Sequence, residues 1–256
     1  MSPETWHDGG CGYRGVNCVG QAYPTPCSDG EHVYVATAHG VFACFDLAGK
    51  RRWLARVPGN GGEYCRNGRS PILYKQLLIS DITDKVRAFD SATGTLAWSD
   101  DLGKKKHSTI VSPMVLTVSG KDILWAAGCN AYLLPDGKKL NIEGWTDCGM
   151  QTLVKYDEPD VIFFCGSGEH CGWTGKGKGV DPMPPAAVRF SLSGNPSTHS
   201  AGSGTSSSSG QLTLKANVLW SGINGKYYGG NQPWMLYHGG KLYAPGAGAV
   251  DALTRN

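Results

Sequence analysis

The sequence has little charge imbalance, no long apolar run and no recognisable catalytic signature. Its 24 Lys and Arg oppose 21 Asp and Glu, a formal net charge of +3. That argues against the concentrated basic face of a nucleic-acid binder. The run Lys104-Lys105-Lys106-His107 is the local exception, and it reads as a solvated loop. No segment reaches the ~18 apolar residues of a helical membrane span. The opening Met1-Ser2-Pro3-Glu4-Thr5 has no apolar core of a secretory signal, as expected of a cytoplasmic protein or of an excerpt from a longer precursor.

Catalytic motifs are equally scarce. There is no His-Glu-x-x-His and no Gly-x-Ser-x-Gly, and the seven histidines are scattered, so no acid–base pair is nominated. Gly175-Lys176-Gly177-Lys178-Gly179 superficially resembles a phosphate loop. It lacks the Gly five positions before the Gly-Lys and the Ser or Thr after it that would cradle phosphate and magnesium.

Glycine, by contrast, is abundant, at 37 residues with 14 prolines, and hydrophobic residues make up 40%. So much punctuation around enough apolar residues for a core favours many short strands over long helices. Nine cysteines are dense for a cytosolic chain and point to an oxidising compartment, periplasmic or extracellular. Cys11 with Cys18 and Cys165 with Cys171 are the candidate loop disulfides; the odd total leaves at least one thiol unpaired within a monomer. The Cys165–Cys171 stretch also holds His170, so two thiols or half a zinc site are the competing readings.

A repeat organises these residues. Val33-Tyr34-Val35-Ala36 alternates as a strand does, Gly40 turns the chain, and Val41 to Asp46 forms the next strand. Gly49 then turns it towards a strand holding Trp53. The phrase returns as Leu77 to Ser80, Val86 to Asp90, the turn at Gly94, and Trp98. Asp90 follows Asp46 by 44 positions and Trp98 follows Trp53 by 45. A period of roughly 40–50 residues with four short strands per unit marks a propeller blade. Each unit opens on a similar phrase: Pro24-Thr25-Pro26, Arg69-Ser70-Pro71 and Val111-Ser112-Pro113.

The third unit turns at Asp136-Gly137 and closes on Leu140 in place of Trp. A looser fourth unit runs from Val161 to Trp220 with insertions at 166–185 and 191–210, the second of flexible-linker composition. A fifth unit stops after its third strand. The expected architecture is therefore an all-β propeller of four-stranded antiparallel blades over 23–254, about five of them and partial, preceded by a segment 1–22. A blade cannot bury both faces alone, so a chain ending inside one is read as incomplete. The Asp, Gly and Trp of each unit are assigned to turns and packing: Asp46, Gly49, Trp53, Asp90, Gly94, Trp98, Asp136, Gly137 and Trp220. An aromatic ligand box of Trp53, Trp98 and Trp220 is set aside, because a ligand site needs residues that are not repeated.

The stretches from Gly40 to Trp53 and from Val86 to Trp98 resemble quinoprotein-like repeats. Those repeats build pyrroloquinoline-quinone-dependent alcohol dehydrogenases and also non-catalytic propellers such as the outer-membrane-protein assembly lipoprotein of bacteria. The resemblance implies an adjacent-cysteine disulfide and calcium-binding acids wherever the quinone is held. This sequence has no Cys-Cys pair, so no cofactor site is carried over and no cofactor is expected. The reading that follows is a non-catalytic binding or scaffold module of the envelope, with a protein or carbohydrate partner at the propeller face and no nucleic acid or transmembrane segment. The competing one is a quinone-dependent oxidoreductase whose cofactor residues lie elsewhere. Loops entering the blades are the candidate partner face: Tyr13, Arg14, Tyr64, Arg66, His107, Gln232 and Trp234.

Overall fold

A computed structural model describes residues 24–37, 40–57, 69–82, 85–102, 112–144, 150–167, 186–194, 212–221, 236–244 and 248–251. All regular structure in them is β. The first sheet runs in the order β1 (Cys27–Ser28), β2 (His32–Ala36), β3 (Val41–Asp46) and β4 (Arg51–Arg56). The second follows the same plan with β5 (Ile72–Tyr74), β6 (Leu77–Ser80), β7 (Lys85–Asp90) and β8 (Leu96–Asp101). Both are antiparallel meanders joined by short turns, the form of a propeller blade.

The third sheet contains β9 (Met114–Val118), β10 (Lys121–Ala126), β11 (Asn130–Leu133) and a two-residue β12 (Lys138–Lys139). The fourth takes β13 (Asn141–Glu143), then β14 (Met150–Lys155), β15 (Val161–Ser167), β16 (Ala186–Ser193) and β17 (Thr213–Ser221), in the order β13-β17-β16-β15-β14. The last has β18 (Leu236–His238), β19 (Lys241–Ala244) and β20 (Gly248–Asp251). Two compact units contain these sheets, residues 1–114 with 126–128, and residues 115–125 with 129–256.

In the first unit the core lies between the first two sheets. Tyr34, Ala36, Phe42, Cys44 and Trp53 face Leu78, Ile82 and Phe89, with the rings of Phe42 and Phe89 centred 4.7 Å apart. Strand alternation selects the first set, since residues two apart share a face. In the second unit Phe163, Ala187, Trp220 and Leu242 form a buried cluster bordered by Tyr156 and Tyr237.

Three details depart from the simplest reading of the repeat. The first turn, Asp46 to Gly49, is one residue shorter than Asp90 to Gly94, which accounts for the 44- and 45-residue spacings. In the third sheet the closing strand is cut short. Leu140 is buried and its N–H still bonds the Ala131 carbonyl at 2.8 Å, but the chain then leaves and β13 pairs in parallel with β17. It thereby covers the edge of β17 that would otherwise offer unpaired backbone groups. Finally, β16 continues through Ser193, three residues into the stretch read as flexible linker, because Ser191, Leu192 and Ser193 pair with Lys215, Leu214 and Thr213.

Candidate functional site

The meander gives each blade two ends. One carries the opening phrases and the turns between second and third strands; the other carries the remaining two hairpins. The Asp–Gly–Trp signature lies at the hairpin end. Asp46 Oδ1 accepts the N–H groups of Ala48 (3.1 Å) and Lys50 (2.8 Å), while Asp90 Oδ1 accepts the N–H and the hydroxyl of Thr93, both at 2.8 Å. Those bonds from Thr93 hold the Asp90 carboxyl below its ordinary range. Gly49 and Gly94 take φ of +81° and +74°, where L side chains are strained.

In the third sheet Gly137 also has positive φ, and its N–H bonds the Leu133 carbonyl as that of Gly94 bonds the Asp90 carbonyl. Leu133 therefore stands in the aspartate slot. Asp136 sits three positions later, exposed in the turn.

Each Trp is aimed by a β-bulge. Cys44 pairs with Trp53 and Phe45 with Arg51, so Arg52 is the extra residue. Ala97 is extra before Trp98 and Leu219 before Trp220, in the same register. The residue opposite each Trp is small: Cys44, Ala88 or Ala187. From the first sheet the Trp53 indole N–H reaches the Ser91 carbonyl at 2.8 Å, and the ring stands against Gly94. A Cβ on Gly94 would stand 2.6 Å from that ring. Trp220 is buried beside Phe163, with ring centres 6.0 Å apart. Trp98 is half-buried.

Near the hairpin end of the first sheet, Asp29 accepts the N–H groups of Glu31 (2.9 Å) and His32 (2.7 Å) and the phenol of Tyr34 (2.9 Å). Led by the Glu31 bond, these contacts hold its carboxyl well below the carboxylate range. Burial, then Asp29, pushes the Tyr34 phenol up. Ionised Asp29 and neutral Tyr34 thus stay fixed near neutrality, a brace and not a proton relay. Burial also raises the Cys27 thiol to about 11, far from thiolate chemistry at neutral pH.

The opening end holds the residues that the repeat does not explain. Thr25 N–H donates to the Ser70 hydroxyl and Ser70 N–H to the Ser112 hydroxyl, each at 2.8 Å, tying successive opening phrases together. Beside this ladder Arg69 and Asp81 form a buried ion pair, 3% and 0% exposed, with Nε to Oδ1 at 2.8 Å. A second Arg69 nitrogen bonds the Asp81 carbonyl, and Asp81 Oδ2 accepts the Ala127 N–H at 2.8 Å. Arg87, also buried, donates to the Ile82 carbonyl at 3.1 Å. A buried charge is tolerated only when paired and hydrogen-bonded, so this network fixes the local backbone.

The predicted partner-face residues Tyr13, Arg14, Tyr64, Arg66, His107, Gln232 and Trp234 lie outside the described residues, as do Cys11, Cys18 and Cys171; Cys165 is placed in β15 by its backbone. What sequence reasoning missed was the Arg69–Asp81 pair. A signal existed: in a slot where the other opening phrases have Pro24 and Val111, this one has Arg.

No family model matches the sequence, and no curated protein does. Among solved structures the chain is similar to BamB from Moraxella catarrhalis, at 19% identity over 56% of this chain and 40% of that one, TM-score 0.42. It is also similar to a europium-containing methanol dehydrogenase, at 15% identity over 90% of this chain and 49% of that one, TM-score 0.47. A computationally designed protein, Ika8, is similar at 10% identity over 93% of this chain and 73% of that one, TM-score 0.46. The chain spans less than half the length of the first two.

Proposed function

We propose that the chain is a non-catalytic binding or scaffold module of the quinoprotein-like propeller type, meeting a protein or carbohydrate partner with the loops at its opening end in the periplasm or outside the cell. The observation that carries this reading is the buried Arg69–Asp81–Ala127 network. Together with the Thr25–Ser70–Ser112 ladder, it makes a fixed base at the point where segments 58–68 and 103–111 rejoin the blades. In sequence those segments contain Tyr64, Arg66 and His107, and Tyr and Arg belong to the types that dominate recognition hot spots. The polar groups of the base hold backbone and one another, a positioning role. At the hairpin end, Asp29 and Tyr34 are likewise committed to structure.

A photo-crosslinking amino acid placed at Tyr64 or His107, and as controls at Leu47 or Leu96, tests the proposal in envelope extracts. Discrete adducts from the opening-end positions and none from the controls are expected. Adducts confined to the controls would overturn the assignment of the face. Dye reduction by an alcohol in the presence of calcium and the quinone would overturn the non-catalytic reading.

A further inference from the structure

The outer edge of the fourth sheet is held more firmly than the strand that covers it. β17 pairs with β16 along all 8 residues of that strand, and its Leu214 is fully buried. β13 has 3 residues and pairs in parallel, the slightly less stable mode, with Asn141 and Glu143 exposed. Glu143 meets Lys215 across the pair at 3.6 Å, but both are well exposed, so the contact is worth little in water. β13 therefore leaves before β17 does, and the edge persists without it.

What that edge selects is legible in the strand it holds. Ile142 stands opposite buried Leu214 and is itself half-buried, so an apolar side chain is seated there. Asn141 and Glu143 stand opposite Thr213 and Lys215, where the lysine favours an acid. At the next position Gly144 has φ of +75°, and a Cβ there would lie 2.5 Å from the Ala216 carbonyl oxygen. Backbone, not a movable side chain, closes that position to every residue but glycine. We infer that the β17 edge from Thr213 to Ala216 is a strand-accepting site, filled by this chain's own β13, and that an extended peptide segment of a protein partner with the order apolar, acidic, glycine takes its place. Main-chain hydrogen bonds supply the affinity of such an added strand and the side-chain positions its specificity. β13 competes for the same edge, so the apparent affinity falls with the fraction of molecules in which the edge is free. This edge is a different surface from the opening end and is tested apart from it.

A fluorescein-labelled peptide Leu-Asn-Ile-Glu-Gly, the order of residues 140–144, tests the site by anisotropy with the whole chain. Gly144→Ala strains the competing strand and is expected to bind the peptide about tenfold more tightly than the wild type does. The same peptide with alanine in place of its glycine is expected to bind neither protein. Equal affinity of the two proteins for the peptide, or indifference to its glycine, overturns the inference. Should Gly144→Ala fail to fold, a photo-reactive form of the peptide on the wild type decides: adducts on residues 213–216 support the site, and adducts elsewhere or none overturn it. Concentration-dependent dimers of Gly144→Ala that the peptide does not dissociate would make a second copy the occupant and overturn the peptide reading.

Discussion

The first and second sheets share a phrase and differ in what they do with it. Both place an Asp-capped glycine turn at one end and a bulge before Trp at the other side of the hairpin. The second sheet alone places charge inside: Arg69 stands where the first has Pro24, Asp81 where it has Ala36, and Arg87 where it has Ala43. Repeated positions therefore set blade geometry, and the positions where the repeat is broken carry whatever is particular to this protein.

The largest way to break that comparison is at the ion pair. Arg69→Ala should cost roughly 3–5 kcal/mol, since it strands a buried carboxylate. Chemical denaturation measures this, and the double change with Asp81→Ala should lose much less than the sum of the two. Pro24→Ala, in the matching slot, should be far milder. Trp53→Ala comes close behind, at about 3–5 kcal/mol for a large buried side chain, and a thermal melt would show it.

Gly94→Ala is a finer probe. Its methyl would enter the Trp53 ring and its backbone would be strained, about 2–3 kcal/mol together. Gly49→Ala strains a backbone at φ +81° without meeting a described neighbour, and should cost about 1–2 kcal/mol. Asp90→Ala removes one capping carboxylate and should lower stability by about 1–3 kcal/mol.

The smallest effect is on pH. Asp29 and Asp90 have lowered folded values, so the stability they contribute is complete above the ordinary carboxylate pKa of about 4 and is lost as the pH falls towards their folded values. Melting temperatures followed from pH 5 down to about pH 2 should drop, less steeply in Asp29→Asn and Asp90→Asn.

Period, strand alternation and the turn glycines made the blades legible in the sequence, because each is a local property of a few residues. Two elements were not legible. A bulge leaves no residue signature of its own: Arg52, Ala97 and Leu219 share no chemistry, only a place before Trp. The buried pair joins Arg69 to Asp81 and Ala127, and sequence gives no distance across that span. The third turn shows the opposite failure, a convincing Asp136-Gly137 whose aspartate occupies a different slot from Asp46 and Asp90.

The seating of Trp53 on the next sheet also sets an order of manufacture. Its indole bonds a carbonyl 38 residues further along the chain, so a ribosome releases the tryptophan well before its seat exists. Until residues 91–94 emerge, the nascent first sheet presents an uncovered indole and an unfilled core face. The first blade is thus finished by its successor, and a translational pause between Trp53 and Gly94 is the interval at which a chaperone has something to hold.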